Sequence, residues 1–345
     1  MVEKGKANLI MGGQWGSEGK GKLAGWIYEN HPEISMAIAD FTPNAGHTFV
    51  NGNYVYVSKV IPIGAIFGRS VETVIIGPHS VFDLDRFFEE MDKFGAGLGD
   101  QLIFIHPMAQ VLTSNDVHNE EGHFRPISST MQGSAAAQIS KIMRDPGNIS
   151  LAKDHPKLKE FIVDTHIVVQ NALSKGRTAL IETAQGYDLG LNHGHTWPYV
   201  TGRDCMLGRW LDNAGVHPRQ LGSVITALRT YPIRVGNLPG STSGPCHSDQ
   251  KEISWGTISE SIGVKTIEYT TVTKRIRRVF TWSDEQVSKM CRMIKPDYAF
   301  LNYINYVPVA AQRKVIDETA KELNEYDCKL ALVGTGADLS DMVVL

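Results

Sequence analysis

The chain has 345 residues, of which 42% are hydrophobic, and its formal net charge at pH 7 is −3. This length is sufficient for one large α/β domain or two smaller ones, and the near-neutral charge argues against a non-specific nucleic-acid binder. The first six residues are charged rather than apolar, and no later run is long enough to cross a membrane. We therefore expect a cytoplasmic protein that has neither nucleic acid nor membrane as a partner. The four cysteines are widely spaced and predict neither a zinc site nor disulfides.

Apolar runs alternate with helix-like segments, as is typical of βαβ units. The predicted strands are residues 8–12, 72–76, 102–105, 179–183, 298–305 and, as the last strand, 329–333. The predicted helices are 81–94, with Ser80 and Asp83 at its start, 134–144, 283–294, with Ser283 as cap, and 311–326. We predict an α/β fold with a large, mainly parallel central sheet flanked by helices. A single domain would span residues 1–345, with insertions at roughly 107–160 and 187–280.

A glycine-rich turn follows the first predicted strand and leads into a helix pattern. It reads Gly12-Gly13-Gln14-Trp15-Gly16-Ser17-Glu18-Gly19-Lys20-Gly21-Lys22. Glycines let backbone N–H groups surround phosphate oxygens at a helix N-terminus, and lysines neutralise the phosphate charge. The turn is one residue longer than a standard P-loop, and Gly21 replaces the usual Ser/Thr magnesium ligand. The pattern predicts a phosphate-binding loop of an unusual kind.

This segment resembles the GQWGDEGKGK signature of the adenylosuccinate synthetase family, except that Ser17 stands where the family has an aspartate. In the family's order, residues 44–48 resemble NAGHT, 182–186 resemble EGAQG, 193–201 resemble HGTYPYVT, 234–236 match RVG and 273–278 resemble TGRxRR. The resemblance implies a P-loop NTPase-like fold and a ligase that joins L-aspartate to C6 of a purine monophosphate at the expense of a nucleoside triphosphate. It also implies a Mg²⁺ cofactor and a homodimer.

The resemblance carries roles onto individual residues of this chain. His47 would be a general acid that stabilises negative charge on the purine O6, and the Gln185 amide would pair with the base. The implied catalytic residues are Ser17, Lys20, His47 and Gln185. The implied ATP-binding residues are Gly16, Glu18, Gly19, Lys20, Gly21, Lys22, Gly46, His47, Thr48, Asn305, Gly334 and Gly336. The implied metal ligands are Ser17 and the Gly46 carbonyl.

Two further sets complete the implied site. The monophosphate-binding residues would be Ser17, Asn44, Ser129, Thr130, Arg144, Gln185, Thr201, Val235 and Gly236, with Arg144 contributed across the dimer interface. The aspartate-binding residues would be Thr271, Val272, Thr273, Arg275 and Arg277. Arg275 and Arg277 are two residues apart, so on a strand they would point to the same side and could clamp a dicarboxylate. The surroundings of Ser129 and Thr130 depart from the family's TTGRGIG.

Two substitutions change the expected substrates. Asn305 replaces an aspartate that accepts hydrogen bonds from guanine, and an amide can instead donate to adenine N1 and accept from its 6-amino group, so we predict ATP rather than GTP as donor. Ser17 replaces the aspartate that takes the N1 proton of inosinate. It either inactivates the enzyme or makes room for a guanine 2-amino group. Both features resemble the phage branch of the family, which uses dGMP, ATP and aspartate on the path to diaminopurine DNA, in the host cytoplasm.

Several alternatives remain open from the sequence. The base that removes the N1 proton could be a water, a phosphate oxygen or substrate tautomerisation. The protein could be an ordinary adenylosuccinate synthetase acting on IMP, or a non-catalytic nucleotide-binding paralogue. A P-loop kinase or GTPase is weakened by the loop spacing. A nucleic-acid binder using the basic residues 274–278 is weakened by the net charge.

Overall fold

The structure, a computed structural model, describes residues 1–98, 101–144, 146–270 and 273–345. Its central sheet has nine strands in the order β16-β15-β14-β10-β1-β9-β2-β5-β7. In chain order the strands are β1 (Ala7–Gly12), β2 (Ile34–Asp40), β3 (His47–Asn51), β4 (Tyr54–Ser58), β5 (Thr73–Ile76), β6 (Val81–Phe82), β7 (Leu102–Ile105), β8 (Gln110–Val111), β9 (Thr178–Thr183), β10 (Leu221–Arg229), β11 (Ile233–Arg234), β12 (Glu252–Ile253), β13 (Arg278–Phe280), β14 (Tyr298–Asn302), β15 (Lys329–Gly334) and β16 (Met342–Val344).

The helices lie between these strands. They are α1 (Lys20–Asn30), α2 (Ile63–Phe67), α3 (Leu84–Leu98), α4 (Ser114–Phe124), α5 (Ser134–Met143), α6 (Thr165–Ser174), α7 (Leu207–Ala214), α8 (Trp255–Ile262), α9 (Asp284–Ile294) and α10 (Val309–Asn324). Among the described residues, none of these helices is both long and apolar enough to cross a membrane.

The central sheet is parallel except at one edge, where β16 runs antiparallel to β15. β1 lies in the middle, pairs in parallel with β9 and β10, and is buried along its whole length. Two apolar cores cover the two faces: one includes Leu23 and Ile27 of α1, and the other includes Val287 and Met290 of α9. Burial on both faces explains why the parallel strands are mostly apolar. All carboxyl ends of the parallel strands meet at one edge, where ligands bind in such sheets.

The structure confirms the α/β fold and the mainly parallel sheet. The predicted strands at 8–12, 72–76, 102–105 and 179–183 match β1, β5, β7 and β9 to within one residue at either end. Ser283 caps α9 by accepting a hydrogen bond from the backbone N–H of Gln286. The division into one domain with two insertions stays a prediction.

Three element boundaries were wrong. Val81 and Phe82 form the short strand β6 rather than a helix start, and α3 begins at Leu84, where Asp83 accepts a hydrogen bond from the N–H of Arg86. β14 ends at Asn302, because Tyr303 has a positive φ of 64° that breaks the extended backbone. β15 is followed by a further strand, β16, so it is not the last.

Candidate nucleotide site

The glycine-rich turn joins β1 to α1 at the carboxyl edge of the sheet. Gly16 and Gly19 have φ values of 86° and 91°, and Ser17 has 60°. Such left-handed conformations cost little at glycine and more at serine. They fold the chain back on itself so that the backbone reaches the start of α1 at Lys20, where free N–H groups favour anions.

The side chain of Glu18 stabilises this turn by hydrogen bonds to its backbone. Its fully buried carboxylate accepts hydrogen bonds from the N–H groups of Gly16 at 2.7 Å and Gln14 at 3.2 Å. Hydrogen bonds to a charged group contribute about 1.5–3 kcal/mol each. The sequence predicted Glu18 as an ATP-binding residue, but its side chain faces the protein, which leaves only its backbone for a phosphate.

Lys20 links the turn to the end of β9. Its Nζ donates to Glu18 Oε2 at 3.0 Å and to the Gln185 carbonyl at 2.6 Å. An ammonium group has three donors, so one remains for a ligand. Lys20 also lines the cavity described below, as a phosphate-binding lysine must.

The turn packs too closely on its neighbours for any side chain at two of its glycines. A Cβ on Gly19 would lie 2.1 Å from Asn302 Nδ2, and one on Gly21 would lie 2.6 Å from the Thr48 carbonyl. Asn302 also donates to the Glu18 carbonyl at 3.2 Å. The glycines therefore bring the turn against the end of β14 and the start of β3.

His47 opens the hairpin β3–β4 and lies beside the turn. It is buried, and its ring packs edge-on against Phe41 with centroids 4.4 Å apart. Its Nδ1 is 3.6 Å from Glu182 Oε2, and neither ring nitrogen has a hydrogen-bond partner among the described residues. Burial lowers the pKa of His47, against the opposing effect of Glu182. A buried, unpartnered imidazole at a cavity wall is suited to meet a ligand.

Gln185 and Asn44 form a polar pair in the wall of the cavity described below. Gln185 has a positive φ of 68° after β9, and its Nε2 donates to Asn44 Oδ1 at 3.0 Å. The same oxygen accepts from Thr42 Oγ1 at 2.6 Å. The remaining amide groups of this pair can form hydrogen bonds with the edge of a base.

A cavity of about 760 Å³ brings most of the predicted site together. This volume is typical of a ligand site. The predicted residues in its wall are Gly16, Ser17, Gly19, Lys20, Gly21, Asn44, Gly46, His47, Thr48, Ser129, Thr130, Gln185, Thr201, Val235 and Arg277. Other predicted residues lie outside the wall, among them Glu18, Lys22, Arg144, Gly236, Arg275, Asn305, Gly334 and Gly336.

Arg277 lies in the cavity wall and donates to the hydroxyl of Ser17. It belongs to a buried network that the sequence did not predict: Arg229 donates to Glu268 Oε1 at 2.6 Å and to the Ser17 carbonyl at 3.0 Å. Glu268 Oε2 is also 3.8 Å from Arg277 Nε. In the sequence, the one local feature that could have indicated a role for Arg229 is its position as a charged residue at the end of an apolar run.

Arg275 does not lie on a strand and does not join Arg277. Its guanidinium donates to the carbonyls of Ser128 at 3.0 Å, Ser129 at 2.8 Å and Gly236 at 3.0 Å. A fourth donor, Nε, bonds Thr273 Oγ1 at 3.0 Å. The predicted two-arginine clamp is therefore not formed, because backbone carbonyls occupy Arg275. Thr271 and Val272 lie outside the described residues.

Asn305, which is predicted to recognise the donor base, lies near the carboxyl end of β14. Asn305 is exposed in a short 3₁₀ turn, Ile304–Tyr306. Tyr303 packs on Arg229, whose guanidinium carbon lies 4.0 Å from the ring centroid. Asn305 as an adenine contact stays a prediction.

Arg144 ends α5 in a left-handed conformation and is exposed. The same helix exposes Ile139, Ile142 and Met143, which are 54%, 75% and 70% accessible. Ile139 and Ile142 also line the cavity. A role for Arg144 across a dimer interface stays a prediction.

Lys22 is in the first turn of α1, and its Nζ donates to the Gly336 carbonyl at 2.9 Å. Burial lowers its pKa to about 8. A bound triphosphate would favour the ammonium form and raise this pKa. We therefore expect nucleotide binding at pH 8 to take up a proton, measured as a dependence of the calorimetric binding enthalpy on the ionisation enthalpy of the buffer.

A Lys22→Met variant is the control for that experiment. It is expected to bind nucleotide more weakly and to lose most of the buffer dependence at pH 8. At pH 6, where Lys22 is already protonated, its contribution to proton uptake should vanish. The same uptake at pH 8 in wild type and variant would contradict the assignment.

The oxygen donors at the cavity fit Mg²⁺ in part. Mg²⁺ keeps several waters and needs only one or two protein oxygens beside substrate phosphates. The Gly46 carbonyl accepts no hydrogen bond from the described residues and Gly46 lines the cavity. The Ser17 hydroxyl faces the positive Arg277, which weighs against Ser17 and favours Gly46 as a metal ligand.

A family model described as adenylosuccinate synthetase matches residues 9–151 and 147–304. The chain belongs to the adenylosuccinate synthetase family of nucleotide-dependent carbon–nitrogen ligases. It is 36% identical over 345 residues to the N6-succino-2-amino-2′-deoxyadenylate synthase of Vibrio phage phiVC8, with 97% of each chain covered.

Solved structures agree with this relationship. The succinoaminodeoxyadenylate synthetase of cyanophage S-2L, solved bound to dGMP and dATP, superposes with a TM-score of 0.86 and 34% identity over 98% of this chain and 95% of that one. The adenylosuccinate synthetase of Plasmodium falciparum superposes with a TM-score of 0.81 over 98% and 99% of the two chains. At 19% identity the latter supports the shared fold alone.

Proposed function

We propose that the protein joins L-aspartate to C6 of dGMP with hydrolysis of ATP, giving 2-amino-2′-deoxy-N6-succinyladenylate. The observation that carries this proposal is Ser17, a small hydroxyl in the cavity wall where the family signature has an aspartate. A neutral serine leaves space beside a guanine 2-amino group. The phage relatives at 34–36% identity support the same substrate.

The chemistry would run in two steps. In the first, the N1 proton of guanine leaves to a water or a phosphate oxygen, and the γ-phosphoryl group moves from ATP to O6, which forms the O6–P bond and breaks the bond to ADP. In the second, the amine of aspartate attacks C6, the O6-phosphate leaves, and the attacking nitrogen gives up one proton to water. Lys20 and the N-terminus of α1 hold the triphosphate, and His47 donates to O6 as charge develops there. Mg²⁺, held by Gly46 and phosphate oxygens, would neutralise phosphate charge.

In this proposal dGMP and aspartate contact different residues. Gln185 and Asn44 read the edge of the guanine, and Ser129, Thr130 and Thr201 hold its monophosphate. Arg277 lies in the cavity wall, and in this proposal its guanidinium binds a carboxylate of aspartate. Arg275 instead ties the backbone of residues 128–129 to residue 236.

Two further features complete the proposal. The exposed apolar face of α5 is the surface of a homodimer in which Arg144 reaches the partner's monophosphate. The site of action is the host cytoplasm, as for a phage-encoded enzyme.

A substrate panel tests the proposal. The protein is incubated with Mg²⁺, ATP and aspartate, and with either dGMP or IMP, and the succinylated product is measured by mass spectrometry. Product from dGMP, with concurrent phosphate release, is expected. Product from IMP alone would overturn the assignment, and phosphate release with neither would indicate a nucleotide-binding paralogue.

Ser17→Asp is expected to reduce kcat/KM for dGMP by about tenfold or more, since a larger, charged group would pair with Arg277 and crowd the 2-amino edge. Steady-state kinetics with dGMP measure the effect. Ser17→Ala is the matched control, because it removes the hydroxyl without adding charge or size. Unchanged dGMP turnover in Ser17→Asp would contradict the proposal that the small side chain of Ser17 makes room for the guanine 2-amino group.

A further inference from the structure

A buried guanidinium lies behind the glycine-rich turn. Arg229, at the end of β10, has a fully buried side chain and does not line the cavity. Its Nε donates to the Tyr231 carbonyl at 2.7 Å, and its Nη2 donates to Glu268 Oε1 at 2.6 Å. Its Nη1 donates to the Ser17 carbonyl at 3.0 Å. One side chain therefore connects the turn to two other segments of the chain.

The backbone of Ser17 needs such a contact. Between residues 12 and 22, all of which the structure describes, Ser17 is the one residue other than glycine with a positive φ, at 60°. This conformation is unfavourable for a residue that has a Cβ, whereas Gly16 and Gly19 adopt it readily. The Ser17 side chain is exposed in the cavity wall, so it is not held by packing in a core. The positive φ therefore has to be maintained by hydrogen bonds.

Two arginines donate hydrogen bonds to Ser17, and they differ in their other contacts. Arg277 donates to the Ser17 hydroxyl from the cavity wall, where the proposed function assigns it to a carboxylate of aspartate. Arg229 is buried behind the wall, its charge is balanced by Glu268, and the ring of Tyr303 lies 4.0 Å from its guanidinium carbon. Arg229 is therefore the contact that persists when substrate is bound.

The planar guanidinium is essential to this arrangement. The acceptors on Ser17, Tyr231 and Glu268 are bonded by three different nitrogens of Arg229. A lysine would keep the positive charge beside Glu268, but its donors share one nitrogen and could not reach all three acceptors. The backbone of Arg229 is fixed as well, because its N–H donates to Gln14 Oε1 at 2.9 Å.

We propose that Arg229 is a positioning residue for substrate selection: it holds the Ser17 carbonyl, and with it the positive φ that places the Ser17 side chain in the cavity beside the guanine 2-amino group. This inference rests on the proposed function for the identity of the base. The hold of Arg229 on the turn can be measured in the free protein, without any substrate.

The test introduces Arg229→Lys into the wild-type protein and into a Ser17→Gly variant. Glycine adopts a positive φ at little cost, so the turn of Ser17→Gly has less need of Arg229. Backbone hydrogen exchange of residues 16–22 is measured by mass spectrometry in the free protein. KM and kcat for dGMP are measured at saturating ATP and aspartate.

Arg203→Lys is the matched control. Arg203 is buried and donates to Asp40 Oδ1 at 3.0 Å and to the Asp40 carbonyl at 2.7 Å. It too joins a carboxylate and a backbone carbonyl, but both of these acceptors belong to Asp40 rather than to the turn. Its replacement therefore reports the general cost of a lysine in place of a buried arginine.

Arg229→Lys is expected to speed hydrogen exchange of residues 16–22 by about tenfold and to raise KM for dGMP by about tenfold, with a smaller change in kcat. In the Ser17→Gly background both effects are expected to shrink to about threefold or less. Arg203→Lys should have the same effect in both backgrounds. If Arg229→Lys does not fold, Arg229→Met combined with Glu268→Met, which removes both charges of the pair, is compared in the same two backgrounds.

Equal effects of Arg229→Lys in the two backgrounds, or a dependence on Ser17→Gly that Arg203→Lys shares, would overturn the inference. Failure of the proposed function is a separate outcome. If hydrogen exchange depends on the two positions as expected but dGMP is not a substrate, Arg229 holds the turn and the substrate assignment fails.

Discussion

Replacing Lys20 by methionine is expected to lower kcat/KM by about 100-fold or more, the loss typical of removing one group that stabilises transition-state charge. The ammonium is fixed by Glu18 and Gln185 and has one donor left for a phosphate oxygen. Methionine keeps the apolar stem and removes the charge. Steady-state kinetics in ATP with saturating dGMP and aspartate measure the loss.

The loss has to be separated from damage to the turn, because Lys20→Met leaves the carboxylate of Glu18 without its cation. The double variant Lys20→Met with Glu18→Gln removes both charges. If Lys20 acts on phosphate, the double variant stays as slow as the single one. Recovery of activity in the double variant would show that the single change only disturbed the turn.

His47→Ala is expected to lower kcat by about 100- to 10,000-fold, the range for loss of a general acid, with a smaller change in KM. Nε2 is the nitrogen opposite Glu182 and is the donor for the developing charge on O6. Single-turnover measurement of ADP formation isolates the phosphoryl-transfer step. His31→Ala is the control, since His31 is also paired with a glutamate, Glu33, but away from the cavity.

A pH dependence follows from the same assignment. Because the pKa of His47 is lowered by burial, the protonated ring is present at low pH and is lost as the pH rises through that pKa. Bound triphosphate raises the pKa and extends the active range upward. A kcat that rises with pH across this range in wild type would contradict the role of His47 as a proton donor.

The sequence located the centre of the site because that part is local. The turn from Gly12 to Lys22, the strand before it and the start of α1 are contiguous, and glycine spacing reports directly on backbone conformation. The polar run 44–48 and the motif 182–186 come to the same edge because they lie at the carboxyl ends of β2 and β9, which are neighbours in the central sheet.

The contacts that the sequence did not reveal are non-local. Arg229 and Glu268 meet across 39 positions of sequence, and Glu182 approaches His47 from a strand more than 130 residues later. The sequence also did not predict side-chain directions correctly, because Arg275 and Arg277 were expected to face one ligand. The backbone at 273–277 is not a regular strand, so the two guanidiniums diverge.

The most direct measurement is a crystal structure with Mg²⁺, a non-hydrolysable ATP analogue and dGMP. The account predicts the triphosphate against the N–H groups and lysines of residues 16–22, with His47 Nε2 about 3 Å from guanine O6 and the 2-amino edge near Ser17. A turn free of phosphate in such a crystal, or a guanine bound away from His47, would contradict it.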